Sequence, residues 1–154
     1  MHKKRIAIIG AGLSGLYTAS LLQEHYDVTL IEARKRIGGR IHSINTHDMG
    51  PSWIWPHHHK MLQLVNDYKL ELFEQYTNGL ALYDHPSGVQ KFNAPPQGSS
   101  YRVVGGISAL SSAIFRTLSQ VTLHLDAEVK AITKEENSFS IQTQRKAFNC
   151  DYII

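Results

Sequence analysis

The sequence predicts an α/β fold: a parallel sheet with flanking helices and a small antiparallel β excursion. Three observations lead there. An apolar run at residues 5–9, RIAII, stops at a glycine, and a second run at 28–31 follows within about thirty residues, the size of a βαβ unit. Between the two runs, apolar residues recur at helical spacing. From residue 121 onward apolar and polar residues alternate, the period of a half-buried strand.

Taken in order, residues 5–9 read as a strand buried on both faces, because apolar side chains follow one another without alternation. Leu13, Leu16, Tyr17 and Leu21 form the stripe of a helix that ends near Glu24. Residues 28–31 are a second buried strand, reached by a right-handed crossover. Residues 41–56 are loop with some extended structure. Met61, Leu62, Val65 and Tyr68 share one face of a helix that starts just after Pro56. Residues 70–104 divide into short extended pieces, broken at Pro86, Gly88, Pro95, Pro96 and Gly98. Ile107, Leu110, Ile114 and Leu118 mark a third helix, opening after Gly105-Gly106. Val121, Leu123, Leu125, Val129, Ile132, Phe139 and Ile141, with a turn at Glu136-Asn137-Ser138, predict a small antiparallel sheet within 121–150. Tyr152, Ile153 and Ile154 begin another apolar strand. Residues 1–154 read as one domain.

Composition narrows the class. With 42% hydrophobic and 19% charged residues the chain can build a core, so it is not a disordered segment. A net charge of +3 does not mark a nucleic-acid binder, and the basic start, His2, Lys3, Lys4 and Arg5, reads as a solvated entry to the first strand. No apolar run reaches the roughly 18 residues of a membrane span. No signal peptide is expected either, because Gly10 and Gly12 interrupt the first apolar stretch. Cys150 is the only cysteine, which excludes an intrachain disulfide; it reads as a buried, inert thiol. A cytoplasmic location fits these features.

The chemistry begins where the first strand ends. Gly10-Ala11-Gly12-Leu13-Ser14-Gly15 fits G-x-G-x-x-G between a strand and a helix, the context that gives this pattern meaning. Gly10 permits the tight turn, Gly12 lets the backbone approach a pyrophosphate, and Gly15 lets helix and sheet pack closely. Free N–H groups and the helix dipole favour phosphate there. Glu32 ends the second strand, where a carboxylate accepts from a ribose diol and repels a 2′-phosphate, disfavouring NADP. Gly38-Gly39-Arg40 imply a second close approach of backbone to ligand and a guanidinium fork for the pyrophosphate. Taken alone, that triplet is equally a surface turn with a solvated cation. A nicotinamide dehydrogenase needs nothing special after the acid, so the triplet points to FAD over NAD. Trp53 and Trp55 alternate and would face one side of an extended segment, able to wall a flat ring; two core aromatics is the simpler reading of the pair alone. His57-His58-His59 are consecutive and point in different directions, so they read as solvated or capping residues and no metal site is expected.

These stretches resemble the N-terminal end of the flavin-containing amine oxidase superfamily, which includes monoamine and polyamine oxidases, protoporphyrinogen oxidases and carotenoid desaturases. IAIIGAGLSGLYTASLL and VTLIEARKRIGGRI carry the most specific part of the likeness. DMGPSWIWP at 48–56, YRVVGGISALSSAI at 101–114, VTLHLDAEVKAI at 121–132 and CDYII at the end extend it over essentially the whole chain. The resemblance implies an FAD/NAD(P)-binding Rossmann-like domain. It implies that Gly10, Gly12, Leu13, Ser14, Gly15, Glu32, Ala33, Arg34, Gly38, Gly39 and Arg40 hold the ADP portion and pyrophosphate. Gly50, Pro51, Ser52 and Trp53 would lie near the isoalloxazine, and Val129 would meet adenine through its main chain. Pro51 stands where many members carry a second glycine, and it lacks an N–H.

The function implied is FAD-dependent oxidation of a small-molecule substrate such as an amine, by hydride transfer to the flavin. The alternatives are an NAD-dependent dehydrogenase and a non-catalytic nucleotide-binding fragment or subunit. Family members are much longer, with a substrate domain and a second flavin-contacting segment that have no counterpart here. The chain is therefore expected to be an N-terminal fragment, with self-association or a complementing C-terminal chain to follow, and no catalytic residue is assigned.

Overall fold

The computed structural model describes residues 3–93 and 98–154, so His2 of the basic start and the turn at Pro95-Pro96 lie outside the described residues. The chain opens with β1 (Arg5–Ile9), α1 (Leu13–Leu22) and β2 (Asp27–Ile31), the expected βαβ unit. β1 and β2 pair in parallel, Ile6 opposite Val28 and Ile8 opposite Leu30. Two-residue strands β3 (Ser43–Ile44) and β4 (His47–Asp48) form a small hairpin, and α2 (His59–Asp67) follows. Next come β5 (Leu72–Glu74), the hairpin β6 (Ala81–His85) and β7 (Gly88–Phe92), and β8 (Tyr101–Val103), which pairs back onto β5. After α3 (Ser108–Arg116) come β9 (Val121–His124), β10 (Val129–Lys134), β11 (Phe139–Thr143), β12 (Ala147–Cys150) and β13 (Tyr152–Ile153).

The main sheet has the order β13-β1-β2-β9, all parallel. One expectation is corrected here. Residues 121–125 do not belong to the antiparallel excursion: β9 pairs in parallel with β2, Val28 opposite Val121 and Leu30 opposite Leu123. Alternation alone cannot tell a sheet's edge strand from a meander strand; α3, delivering the chain back to the sheet, decides it. The antiparallel excursion is β10-β11-β12 alone.

Period-two geometry makes the sheet the middle of three layers. Ile6, Ile8, Val28 and Leu30 face one way and pack with Leu16, Ala19, Leu110 and Ile114 of α1 and α3. Ala7 and Ile31 face the other way and pack with Ala127, Ile141 and Cys150 under the meander. Burial pushes the Cys150 thiol up, which keeps it protonated and inert. A third apolar cluster, Ile41, Ile54, Val65, Val103 and Ile107, lies under α2 and the β5–β8 pair.

The core stripe of α1 also differs from expectation. Leu16 and Ala19 are buried, whereas Tyr17 and Leu21 are 38% and 59% exposed. The helix turns Gln23 inward instead. Its Nε2 donates to Thr117 O (3.1 Å) and its Oε1 accepts from Gln120 N (3.3 Å), joining α1 to the segment after α3. A polar residue thus takes a position that an apolar pattern cannot reveal.

Candidate functional site

Strand order locates the site. From β1 the sheet runs through β2 to β9 on one side and to β13 on the other, so β1 is the point where the winding reverses. Ligands of such sheets sit in the crevice beyond the carboxyl end of that strand. There the structure has a cavity of about 850 Å³, within the range of small-molecule and cofactor sites.

Its first wall is the turn after β1. Gly10, Gly12, Leu13, Ser14 and Gly15 all line it. The turn is pinned from outside: Gly10 N donates to Ile31 O (2.8 Å) and Ala11 N to Glu32 Oε2 (2.9 Å). Leu16 N is bonded to Gly12 O (2.9 Å), so the N–H groups before it have no i−4 carbonyl inside the helix. Gly12, at the cap position, offers no side-chain bond, and no acid stands in the first turn. The positive end of α1 therefore meets the cavity without a compensating side-chain charge of its own. A Cβ on Gly15 would fall 2.0 Å from Gly10 O, so only glycine closes this turn.

The second wall is the loop after β2. Gly38, Gly39 and Arg40 line the cavity with Glu32 and Arg34. The two glycines turn out to serve contact between backbones. Gly38 N donates to Ala11 O (2.8 Å), and a Cβ on Gly39 would lie 3.1 Å from Gly12 Cα. Both have positive φ, +94° and +60°. Arg36, which sequence reasoning left unassigned, braces this loop by donating from Nη1 to Ile37 O (3.1 Å) and Ile41 O (3.3 Å).

Glu32 is only 4% exposed yet belongs to the lining. Its Oε2 accepts from Ala11 N and its Oε1 from Arg34 N (2.8 Å), so it ties the two walls together. Each carboxylate oxygen keeps a further acceptor site.

The third wall is Pro51, Ser52, Trp53 and Ile54, with Ile41, Met61 and Ile107 behind them. Three residues named from the sequence stand outside the lining. Ala33 lies between Glu32 and Arg34 without facing the cavity. Gly50 packs on the chain instead: a Cβ there would fall 2.4 Å from Arg40 O, so this glycine seats the third wall on the second. Val129 packs with the cluster of Ala7 and Ile31. Of the two tryptophans only Trp53 lines the cavity; the chain turns at Trp55, whose O accepts from His58 N (2.8 Å). Ile9, Ile41, Ile54, Met61 and Ile107 were missed as lining residues, since nothing distinguishes them in sequence from core.

The chain matches the family of flavin containing amine oxidoreductases over residues 13–97, more than half of its length. It belongs to that family. Among curated relatives, amine oxidase [flavin-containing] A of Canis lupus familiaris is 37% identical over 83 residues, covering 50% of this chain and 16% of the relative. Putrescine oxidase of Kocuria rosea is 32% identical over 93 residues, covering 57% of this chain and 20% of the relative. The fold matches cyclohexylamine oxidase from Brevibacterium oxydans with a TM-score of 0.80 at 15% identity, covering 98% of this chain and 57% of that one. The chain thus spans only part of the length of the amine oxidases it resembles. The cofactor of the family is FAD, and the cavity fits it: a glycine cradle at the positive end of a helix, two arginines, and a buried acid between the first two walls.

Proposed function

We propose that this chain is the FAD-binding portion of a flavin-dependent amine oxidase. The observation that carries this reading is the convergence of three separate segments, 10–15, 32–40 and 51–54, on one cavity. Gly12 through Gly15 and Arg40 bind the pyrophosphate, Glu32 accepts from the ribose, and Pro51, Ser52 and Trp53 wall the ring. Bound there, the flavin supplies hydride acceptance from the substrate. Arg34 and Arg40 are the cations of the lining, so the diphosphate meets charge-assisted donors.

Among the described residues, the lining contains no lysine, histidine, tyrosine or cysteine. Its one carboxylate, Glu32, is held by two backbone N–H groups. The chain therefore offers the ring a surface, formed by Pro51, Ser52 and Trp53, and no free base from the lining. Titrating the purified chain with FAD, NAD and NADP tests the reading. Saturable quenching of flavin fluorescence, with weak NAD and no NADP binding, is expected. Tighter binding of NAD than of FAD would make it a nicotinamide site.

A further inference from the structure

The amino end of α3 has no side-chain cap of its own; Ile107 occupies that position. Its donors are met from the β3–β4 hairpin instead. Asp48 Oδ1 accepts from Ile107 N (2.8 Å) and from Ser43 Oγ (2.7 Å), while Oδ2 accepts from Arg102 Nη2 (3.1 Å). Ser43 and Ser108 exchange a second pair: Ser108 N donates to Ser43 Oγ (3.1 Å) and Ser43 N to Ser108 Oγ (2.7 Å). The carboxylate of Asp48 is completely buried, with a side-chain exposure of 0%. The fit is close enough that a Cβ on Gly106 would lie 2.7 Å from Ser43 Oγ and 3.1 Å from Asp48 Oδ1.

Asp48 does not line the cavity, but it holds both parts of the third wall. Ile107, whose N–H it accepts, is in the lining. Two residues after Asp48 the chain reaches Gly50, seated on Arg40 O, and then enters the strip Pro51–Ile54. The nucleotide half is fastened independently, by Gly10 N to Ile31 O, Ala11 N to Glu32 and Gly38 N to Ala11 O. A buried carboxylate is costly to desolvate and is tolerated where donors converge on it, fixing one geometry.

We propose that Asp48 is a positioning residue for the flavin ring. It sets the wall of Pro51, Ser52, Trp53 and Ile107 from behind, while the nucleotide half of the cavity does not depend on it. The proposal rests on the FAD reading above. It predicts a split that a merely structural role would not give.

The test titrates the unaltered chain, Asp48→Asn and Ser43→Ala with FAD and, separately, with ADP, and records the visible circular dichroism of bound flavin. Asp48→Asn is expected to lower FAD affinity about tenfold, by loosening the wall that holds the ring. ADP affinity should stay within about twofold, and the flavin's visible dichroism should collapse. Ser43→Ala, which keeps the carboxylate but removes one donor to it and the acceptor of Ser108 N, should move FAD affinity the same way by less. It carries the comparison if Asp48→Asn does not fold. Equal losses of FAD and ADP affinity, or no change in either, would overturn the proposal. If the unaltered chain binds ADP but not FAD, the FAD reading itself fails, and the proposal with it.

Discussion

Gly12 and Gly15 lie three residues apart in one turn and are glycine for different reasons. A Cβ on Gly15 meets a carbonyl oxygen at 2.0 Å, which no rotamer can relieve, because the obstacle is backbone. Gly15→Ala should therefore destabilise the fold by about 1–3 kcal/mol or more, read from denaturant unfolding. A Cβ on Gly12 has room within the protein, 4.0 Å from Gly39 Cα, at an ordinary φ of −72°. Gly12→Ala should leave stability within about 0.5 kcal/mol, yet weaken FAD binding sharply by filling the cradle. Equal stability loss in both variants would deny the distinction. Glu32 joins the two roles. Glu32→Ala should cost about 1–3 kcal/mol of FAD affinity and a similar amount of unfolding free energy, because Ala11 and Arg34 lose their acceptor. Calorimetric titration and unfolding of the same sample separate the two. This acid and these glycines, read from the sequence as cofactor-binding, all line the cavity, since a strand, a glycine turn and a helix in that order leave few arrangements. The sequence could not show that Gly38 and Gly39 serve the neighbouring turn, because Gly12 becomes their neighbour only after β1 and β2 pair.

At the scale of elements, the legible parts were those whose periodicity had one solution: β1, β2, α2 and α3 stand close to where the apolar pattern put them. The illegible parts were choices between partners. β9 carries the same alternation as the meander, and only its register with β2 assigns it to the parallel sheet. The cap of α3 was likewise hidden, because Asp48 and Ser43 lie about sixty residues before it. That cap has a pH signature. Burial alone would raise the Asp48 carboxyl, but hydrogen bonds from Ser43, Ile107 N–H and Arg102 outweigh burial and hold it below the ordinary carboxylate range. A folded value below the unfolded one gives stability that is fully present above the unfolded value. It is lost as pH falls through the folded one. Unfolding midpoints taken across the acid range should fall at the low end for the unaltered protein. Asp48→Asn should have a shallower limb, with Asp151 still contributing, and be less stable at neutral pH by about 1–3 kcal/mol. A variant that keeps the full acid limb would assign it to another carboxylate.

For the whole molecule, the question is what covers the β6–β7 hairpin. Leu80, Leu82, Tyr83, Val89 and Phe92 are all more than 45% exposed, and Ala81 alone between residues 80 and 92 is partly covered. An isolated two-stranded hairpin is marginal in water, so exposed apolar side chains on it favour burial against further protein surface. Its register puts Leu82 beside Lys91 and Val89 beside Asp84 on one face, with Ala81, Phe92 and Tyr83 on the other. Both faces are thus partly apolar, as in a strand pair meant to be sandwiched. Relatives several times longer than the matched segment have more chain with which to do this. With these side chains exposed, the polypeptide of residues 1–154 should bury the hairpin against a second copy. Sedimentation over a concentration series should show a weight-average mass that rises with concentration. Leu82→Thr together with Val89→Thr, which keeps strand propensity while removing apolar surface, should suppress that rise and leave unfolding free energy within about 0.5 kcal/mol. A chain that stays monomeric at the highest concentration would show that the hairpin needs no cover.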